Sequence, residues 1–190
     1  MQPSSSVPLR PVYLLPGWQD SGPGHWQTLW AEQHGDVRVE QADWLWPRRG
    51  DWMARLDEVL LADARLAATP ALLVAHSLGC QLVAAWATHS RHTARVAGAL
   101  LVAPPDTEAE HAPPQLHGWA PMPRQVLPFP AIAVLSRDDP YGDYFQMAAV
   151  AEAWGARLVD AGPRGHLNAA SGLGAWPAGR QLLQLLPQPA

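Results

Sequence analysis

The sequence contains no lysine, a single cysteine and no apolar run long enough to cross a membrane. All 13 basic residues are therefore arginine, which excludes a lysine nucleophile, a Schiff base and a Ser-Lys dyad. The lone Cys80 cannot form an intramolecular disulfide or a cysteine-based zinc site, and no metal is expected. The longest apolar run, residues 96–103, is much shorter than the roughly 20 residues of a membrane-spanning helix.

The charge balance excludes two further classes of partner. The formal net charge is −4 at pH 7 and the arginines form no cluster, so neither nucleic acid nor an anionic membrane is expected as the main partner. The first eleven residues are polar and unlike a secretory signal peptide, so we expect a cytoplasmic protein. The length fits a single domain, residues 1–190, in which residues 1–10 are expected to be flexible. The sequence carries no signal for an oligomeric state.

Short apolar segments of strand length alternate along the chain with segments of helical periodicity. This alternation predicts a three-layer α/β fold, with a mostly parallel sheet of about six strands, helices on both faces and no cap domain. The predicted strands are residues 12–15, 37–41, 71–75, 96–102, 131–135 and 157–159. The predicted helices are residues 25–33, 78–89, 142–154 and 178–186, together with one that Asp51 caps.

One proline-dense segment, residues 104–130, interrupts this alternation and shows no clear period. A loop of this length inside a compact domain is usually functional or mobile. It connects two predicted strands whose carboxyl ends should face a site. Two interpretations are left open, a rim over a substrate pocket and a long crossing over the surface.

Ser77 lies at a predicted strand-to-helix turn in the sequence AHSLG, residues 75–79. The layout is typical of a nucleophile elbow, the sharp turn that presents a serine in α/β-hydrolases, with Ala75 in place of the usual first glycine. The serine must adopt a strained backbone conformation there, so the residues two positions away have to be small. Alanine is next in size after glycine and is therefore tolerable. Taken alone, the motif is also compatible with an ordinary packed turn.

A serine hydroxyl is a weak nucleophile and needs a base, which a carboxylate must orient. Candidates for both follow predicted strands in the order serine, acid, histidine, as in α/β-hydrolases. Asp139 is preferred as the acid, because Pro140 restricts it to an extended conformation. Asp138 is the alternative acid, and is otherwise a solvated neighbour or a turn former.

His166 is the candidate base, because Gly165 before it lets the backbone turn the imidazole toward the serine. Asn168 is expected to hold the same loop through side-chain hydrogen bonds. His76, directly before the serine, is expected to point to the opposite side of the turn and to make local contacts.

Two backbone amides are expected to bind the negative oxygen that develops during acyl transfer. Leu78 supplies one, at the start of a predicted helix whose dipole favours negative charge. Trp18 supplies the other, from the turn after the first strand, where Gly17 permits the change of direction. Gly17 and His25, which follows this turn, are candidates for substrate binding.

With these residues assembled, the chain resembles the small, lidless α/β-hydrolases that include YdeN-like bacterial proteins and serine hydrolases of the retinoblastoma-binding-protein type. The resemblance implies an α/β-hydrolase-like fold and a serine hydrolase with Ser77 as nucleophile, Asp139 as acid and His166 as base. The L-x-C-x-E motif linked in this group to pocket-protein binding is missing from the sequence, so no such partner is expected. The blocks that carry the likeness are LPGWQDSGPGHWQ (15–27), AHSLG (75–79), SRDDPY (136–141) and GHLNAASGLGAWP (165–177).

We therefore expect an enzyme that cleaves small, short-acyl carboxylic esters through an acyl-serine intermediate, without a cofactor. Amides and thioesters are alternative substrates, since they share this chemistry, and the sequence identifies neither the acyl group nor the leaving group. A second alternative is a hydrolase fold that serves as a binding or regulatory module with little turnover. In that case residues 104–130 and several of the ten tryptophans would form the partner surface.

Overall fold

The computed structural model describes residues 10–187, which contain six strands in one parallel sheet. All neighbouring strands are parallel, and their spatial order from edge to edge is second, first, third, fourth, fifth, sixth. The predicted sheet, with about six parallel strands, is confirmed. The strands are β1 (Val12–Leu15), β2 (Val37–Arg38), β3 (Ala71–His76), β4 (Val96–Val102), β5 (Ala131–Leu135) and β6 (Arg157–Asp160).

Five α-helices within the described residues cover the two faces of the sheet. Among residues 10–187 no helix is both long enough and apolar enough to cross a membrane. The helices are α1 (Trp26–His34), α2 (Arg49–Ala62), α3 (Leu78–His89), α4 (Tyr144–Ala153) and α5 (Pro177–Leu182). Short 3-10 turns lie at Ala64–Ala67, Thr93–Arg95, Pro114–Trp119, Ala169–Ser171 and Leu183–Leu185.

The four central strands β1, β3, β4 and β5 are buried on both faces, so each of them contributes alternate side chains to two separate cores. In β1, Leu14 packs on one face with Trp26 and Trp30 of α1. Its neighbours Tyr13 and Leu15 pack on the other face, against the apolar sides of α2, α3 and α4. Burial on both sides is the reason that the strands read as continuous apolar runs in the sequence.

The order of the strands reverses at β1, which lies between β2 and β3. The chain leaves β1 toward one side of the sheet and leaves β3 toward the other, which opens a crevice beyond their carboxyl ends. Helix α3 approaches this point closely, because a Cβ atom on Gly79 would lie 2.3 Å from the carbonyl oxygen of Leu15. The residue type at position 79 is therefore dictated by packing.

Several predicted boundaries are wrong. Strand β2 ends at Arg38 rather than at residue 41, since it is an edge strand that pairs only with β1. Arg48 occupies the N-cap of α2, so Asp51 lies within the first turn, where its charge still favours the helix. Helix α4 starts after Asp143, whose carboxylate accepts from the Gln146 amide, instead of at residue 142. The last predicted helix, residues 178–186, is α5 followed by a 3-10 turn.

Two predicted irregular segments, residues 104–130 and residues 1–10, also have to be compared with the structure. The predicted rim, residues 104–130, contains one 3-10 turn, and its second half is anchored by buried Trp119 and Phe129. Of the segment expected to be flexible, residues 1–9 lie outside the described residues. Arg10 is held by hydrogen bonds to the carbonyls of Pro70 and Pro187.

Candidate active site

Ser77 connects β3 to α3 in a backbone conformation that only a tightly packed turn maintains. Its φ of 53° and ψ of −125° lie outside the regions that non-glycine residues usually adopt. The Ser77 amide donates to the carbonyl of Val102 in β4 at 2.9 Å, which ties the turn to the sheet. On its other side, a Cβ atom on Gly17 would lie 2.7 Å from the Ser77 Cβ. Only glycine therefore lets the loop after β1 approach the serine this closely.

The side chains of Ser77, His166 and Asp139 form one chain of hydrogen bonds. Nε2 of His166 lies 2.9 Å from the Ser77 Oγ, and Nδ1 lies 2.9 Å from both carboxylate oxygens of Asp139. A carboxylate can only accept, so Nδ1 carries the proton and Nε2 is free to accept from the serine hydroxyl. The side chains of His166 and Asp139 are 9% and 5% exposed, which shields this pair from competing water.

Asp138, the alternative acid, has a different set of partners. Its Oδ1 accepts from the Gly165 amide at 2.7 Å and from the Ser136 hydroxyl at 2.8 Å. These two bonds favour the charged carboxylate and lower the pKa of Asp138 below its usual range. The prediction that Asp138 is a solvated neighbour or a turn former is therefore incomplete, because it holds the loop that carries the histidine.

The predicted orientation of His76 is wrong. Its ring packs against the ring of His166, with centroids 4.9 Å apart, and its Nε2 lies 2.9 Å from the His166 carbonyl oxygen. That contact joins the end of β3 to the loop after β6 and is therefore not local. Burial, together with the nearby charges that His166 and His25 can carry, holds the pKa of His76 well below its usual range.

His25 caps α1 and lies against His76, with ring centroids 4.7 Å apart. Its Nδ1 accepts from the Gln27 amide, so the proton of the neutral ring is on Nε2. That buried Nε2 has no hydrogen-bond partner within the part of the chain that the structure describes. Burial is the main reason that the pKa of His25 falls to about 4.

Leu78 follows Ser77 at the end of β3, Trp18 lies in the loop after β1, and both residues line the same cavity. Leu78 is the first residue of α3, where backbone N–H groups have no acceptor inside the helix. The loop after β1 touches this amide, since a Cβ atom on Gly17 would lie 3.1 Å from the Leu78 nitrogen. Trp18, the next residue, is fixed by its indole N–H, which donates to the Leu45 carbonyl at 3.0 Å.

A cavity of about 380 Å³ opens over Ser77 and includes all the residues that the sequence singled out as nucleophile, base, amide donors and substrate contacts. Residues 105–116 form one side of it, so the first half of the predicted rim does line the pocket. Leu116, Trp18 and the exposed Tyr141 supply apolar surface, and the Tyr141 ring stands edge-on to His166 at 4.5 Å. The complete lining is Gly17, Trp18, Gln19, Asp20, His25, His76, Ser77, Leu78, Pro105, Asp106, Ala109, His111, Ala112, Pro113, Leu116, Pro140, Tyr141, His166 and Asn168.

A larger surface cavity of about 550 Å³ lies beside α2, near Trp46 and Arg55. Its lining includes no serine, cysteine or histidine, so it offers no nucleophile for acyl transfer. Within residues 10–187 no group of histidine, cysteine and acidic side chains is arranged to hold a metal ion.

Sequence reasoning missed two residues at this site, Tyr141 and Trp26. Tyr141 follows the acid by two positions and could have been noticed from that spacing. Trp26 donates from its indole to the Leu167 carbonyl at 2.8 Å, 141 positions away, and no motif indicates such a contact. Asn168 holds its loop as expected, since its side chain accepts from the Ala170 amide and forms a capping box with Ser171.

Comparison with known proteins gives the following matches. A family model described as serine hydrolase matches residues 12–185. No curated protein matches in sequence. Among solved structures, a protein described as a YdeN-like hydrolase from Pectobacterium atrosepticum is 26% identical, with a TM-score of 0.79 over 93% of this chain and 92% of that one.

Two other solved structures are more distant. The ydeN gene product from B. subtilis is 20% identical, with a TM-score of 0.68 over 93% of this chain and 97% of its own. An esterase from Rhodococcus sp. ECU1013 is 16% identical, with a TM-score of 0.60 over 93% of this chain and 88% of its own. For these two the likeness concerns the fold alone. A hydrolase of the alpha/beta superfamily from Xanthomonas campestris is 26% identical, with a TM-score of 0.57 over 93% of this chain and 100% of its own, and the fold is that of an α/β-hydrolase.

Proposed function

The chain belongs to the serine hydrolase family, and from that premise we propose that it cleaves small carboxylic esters through an acyl-serine intermediate. The observation that carries the proposal is the chain of hydrogen bonds from Asp139 through His166 to Ser77, with 2.9 Å at each step. An ester is proposed rather than an amide because the alkoxide of an ester is a better leaving group than the more basic nitrogen of an amide. Cys80 does not compete as nucleophile, since it is fully buried and burial raises the pKa of its thiol.

In the first half of the proposed reaction, the Ser77 hydroxyl attacks the carbonyl carbon of the ester and His166 Nε2 takes its proton. Asp139 keeps the proton of the neutral ring on Nδ1 and stabilises the imidazolium that forms. The amides of Leu78 and Trp18 bind the negative oxygen of the tetrahedral intermediate. His166 then gives its proton to the departing alkoxide, which leaves as the alcohol, and the acyl group stays on Ser77.

In the second half, a water molecule enters beside His166 and attacks the acyl carbon. His166 takes the proton of this water, and the same two amides, those of Leu78 and Trp18, bind the second tetrahedral intermediate. The bond to Ser77 then breaks as His166 returns a proton to the serine oxygen. The carboxylic acid leaves, and the hydrogen-bond chain is ready for the next substrate.

The size of the cavity limits the substrates that we propose. At about 380 Å³ it lies near the lower end of the range for small-molecule sites. Its lining includes Tyr141 and residues of the segment 105–116, and its volume accommodates a short acyl chain above Ser77. We therefore expect turnover to be highest for acetate and butyrate esters and to fall for long-chain esters.

The test is the hydrolysis of p-nitrophenyl acetate, butyrate, octanoate and palmitate by the purified full-length protein and by Ser77→Ala. Loss of the nucleophile should lower kcat roughly 10⁴-fold or more. Ser90→Ala is the matched control, because Ser90 caps the far end of the same helix and donates to Asp57. That variant should retain wild-type turnover.

Two results would contradict the proposal. Undiminished hydrolysis by Ser77→Ala would mean that another group attacks the ester. A preference for palmitate would mean that the cavity does not limit the acyl chain. The same panel, extended to thioesters and amides, separates an esterase from the other two acyl-transfer activities.

A further inference from the structure

The loop that carries His166 has an unusual backbone on both sides of that residue. Gly165 has a φ of 58° and Leu167 a φ of 49°. Glycine adopts such values freely, but for a bulky residue such as leucine they are rare and unfavourable. The backbone around His166 therefore depends on contacts from outside the loop to stay in this conformation.

Such contacts exist at four successive residues, because a side chain from another part of the chain bonds to the backbone of each. Two of these side chains accept from backbone amides, and two donate to backbone carbonyls. We call the four side chains Trp26, His76, Ser136 and Asp138 the backbone clamp. Its bonds are Arg164 N to Ser136 Oγ (2.9 Å), Gly165 N to Asp138 Oδ1 (2.7 Å), His76 Nε2 to His166 O (2.9 Å) and Trp26 Nε1 to Leu167 O (2.8 Å).

The amide side of the clamp comes from the loop after β5. Ser136 is 2% exposed, and its hydroxyl donates to Asp138 Oδ1 at 2.8 Å while its oxygen accepts from the Arg164 amide. The same Asp138 oxygen accepts from the Gly165 amide. Because Asp139, the next residue, bonds to His166, one short loop fixes both the backbone before the histidine and its ring.

The carbonyl side of the clamp comes from α1 and β3. Trp26 is 1% exposed and His76 is 5% exposed, so neither of their bonds is weakened by exchange with water. A carbonyl oxygen only accepts, so His76 carries its proton on Nε2 and donates it to the His166 carbonyl. The Trp26 and His76 rings also stand perpendicular to each other, with centroids 6.0 Å apart, which fixes both donors relative to one another.

We propose that the backbone clamp positions His166 for hydrolysis, so that its four members act on the reaction without touching the substrate's reacting atoms. The inference rests on the proposed function and adds positioning residues to it. His166 must reach Ser77 and Asp139 at 2.9 Å simultaneously, and a displacement of about 1 Å can cost roughly a hundredfold in rate. Loss of the Trp26 bond lets the unfavourable backbone at Leu167 relax, and loss of the His76 bond frees the His166 carbonyl, so either change lets the imidazole shift.

The main test compares Trp26→Phe with Trp30→Phe. Both tryptophans lie in α1, are almost fully buried and donate from the indole to a backbone carbonyl, that of Leu167 for Trp26 and that of Ala175 for Trp30. Each phenylalanine keeps an aromatic ring and removes the donor.

We expect Trp26→Phe to lower kcat about tenfold to a hundredfold. KM should stay near the wild-type value, because Trp26 does not line the cavity. Trp30→Phe should retain wild-type kcat.

For the tryptophan and histidine variants, which keep Ser77, the rates are expressed per active site, with the sites counted by complete labelling with a fluorophosphonate. This normalisation removes any loss of folded protein from the comparison. A kcat for Trp26→Phe equal to that of Trp30→Phe would overturn the proposal, as would a change confined to KM.

A second pair of variants keeps the test decisive if Trp26→Phe does not fold. His76→Leu removes the donor to the His166 carbonyl, whereas His76→Gln keeps an N–H group of similar reach. We expect the kcat of His76→Leu to fall about as much as that of Trp26→Phe. The kcat of His76→Gln should stay much closer to the wild-type value. Equal kcat in the two variants would contradict the clamp.

Ser77→Ala, assayed in parallel, separates this inference from the proposed function. If Ser77→Ala retains turnover, the proposed function fails. If Ser77→Ala is inactive and the clamp variants keep wild-type kcat, the proposed function stands and the positioning role fails.

Discussion

Two segments leave the carboxyl edge of the sheet and reach the same cavity, but they are held by different kinds of contact. The loop with His166, residues 161–168, is fixed through its backbone by the four side chains of the clamp. The rim, residues 104–130, has backbone amides bonded to neighbouring elements near its two ends, at Asp106 and Leu127, and between them it is held largely by buried apolar side chains such as Leu116 and Trp119. Hydrogen bonds are directional and set a position within a few tenths of an ångström, whereas apolar burial tolerates small shifts.

The difference follows from the residues that each segment contains. The rim has eight prolines, which have no N–H group and cannot be held by acceptors on neighbouring elements. The His166 loop has N–H groups at Arg164 and Gly165, and both donate to side chains of the clamp. A proton-transfer group needs the more accurate support, because its distance to Ser77 enters the rate directly.

Asp139→Asn breaks the polar support most severely. The amide can present N–H groups to His166 and stabilises the wrong tautomer, so we expect kcat to fall roughly 10³- to 10⁴-fold with little loss of stability. The comparison is Asp138→Asn, whose side-chain oxygen can still accept from the Gly165 amide. That change should cost less than about tenfold in kcat, since the asparagine oxygen can keep both accepted bonds, from Gly165 and Ser136, and only the negative charge is lost. The reverse ranking of the two variants would assign the acid to Asp138.

Trp119→Phe tests the apolar support. The change removes the indole donor to the Pro47 carbonyl and part of the contact with Trp52, so the free energy of unfolding should fall by about 1–3 kcal/mol. The folded protein should keep a kcat/KM close to wild type. Denaturant unfolding and steady-state kinetics on the same preparation measure both quantities. A loss of kcat as large as that of Trp26→Phe would remove the distinction between the two segments.

A smaller expected effect is the loss of stability at acidic pH that results from the burial of His25. His25 has a pKa of about 4 in the folded protein and an ordinary value of 6.5. Between pH 6.5 and 4 the unfolded chain therefore binds a proton that the folded protein does not, and stability falls as the pH drops through this window. The slope from one such group is at most about 1.4 kcal/mol per pH unit.

His25→Asn removes the titrating ring and keeps a side chain that caps helices well. We expect denaturation curves of this variant to show a shallower loss of stability between pH 6.5 and 4 than those of the wild type. At pH 8, where the folded and unfolded states both hold a neutral His25, the two proteins should differ only through packing and the cap. An unchanged slope would mean that His25 does not contribute to acid sensitivity.

Much of the sheet could be predicted because its four central strands are buried on both faces and so appear as short apolar runs. The bounds of β4 and β5 agree with the predicted residues 96–102 and 131–135. The first and last residues of helices and strands with exposed ends were predicted less accurately. Asp51 is a residue type that is common at N-caps, but the N-cap of α2 lies three residues earlier, at Arg48, because packing of Trp52 and Leu56, rather than capping, decides the extent of the helix.

The order of Ser77, Asp139 and His166 along the chain was sufficient to name three residues that the structure places in one hydrogen-bonded chain. The clamp could not be predicted in this way. Trp26 and His76 donate hydrogen bonds to backbone carbonyls 141 and 90 positions away. Every residue has a backbone carbonyl, so no sequence pattern can show which one is bonded. The orientation of His76 likewise depends on how the His166 loop packs against β3.

The central claim is that Ser77 is the nucleophile, and mass spectrometry of the protein after reaction with a fluorophosphonate tests it most directly. The account predicts one adduct per chain, located by peptide mapping on Ser77, and no adduct in Ser77→Ala. An adduct on another residue, or ester turnover that continues in a protein without any adduct, would contradict it.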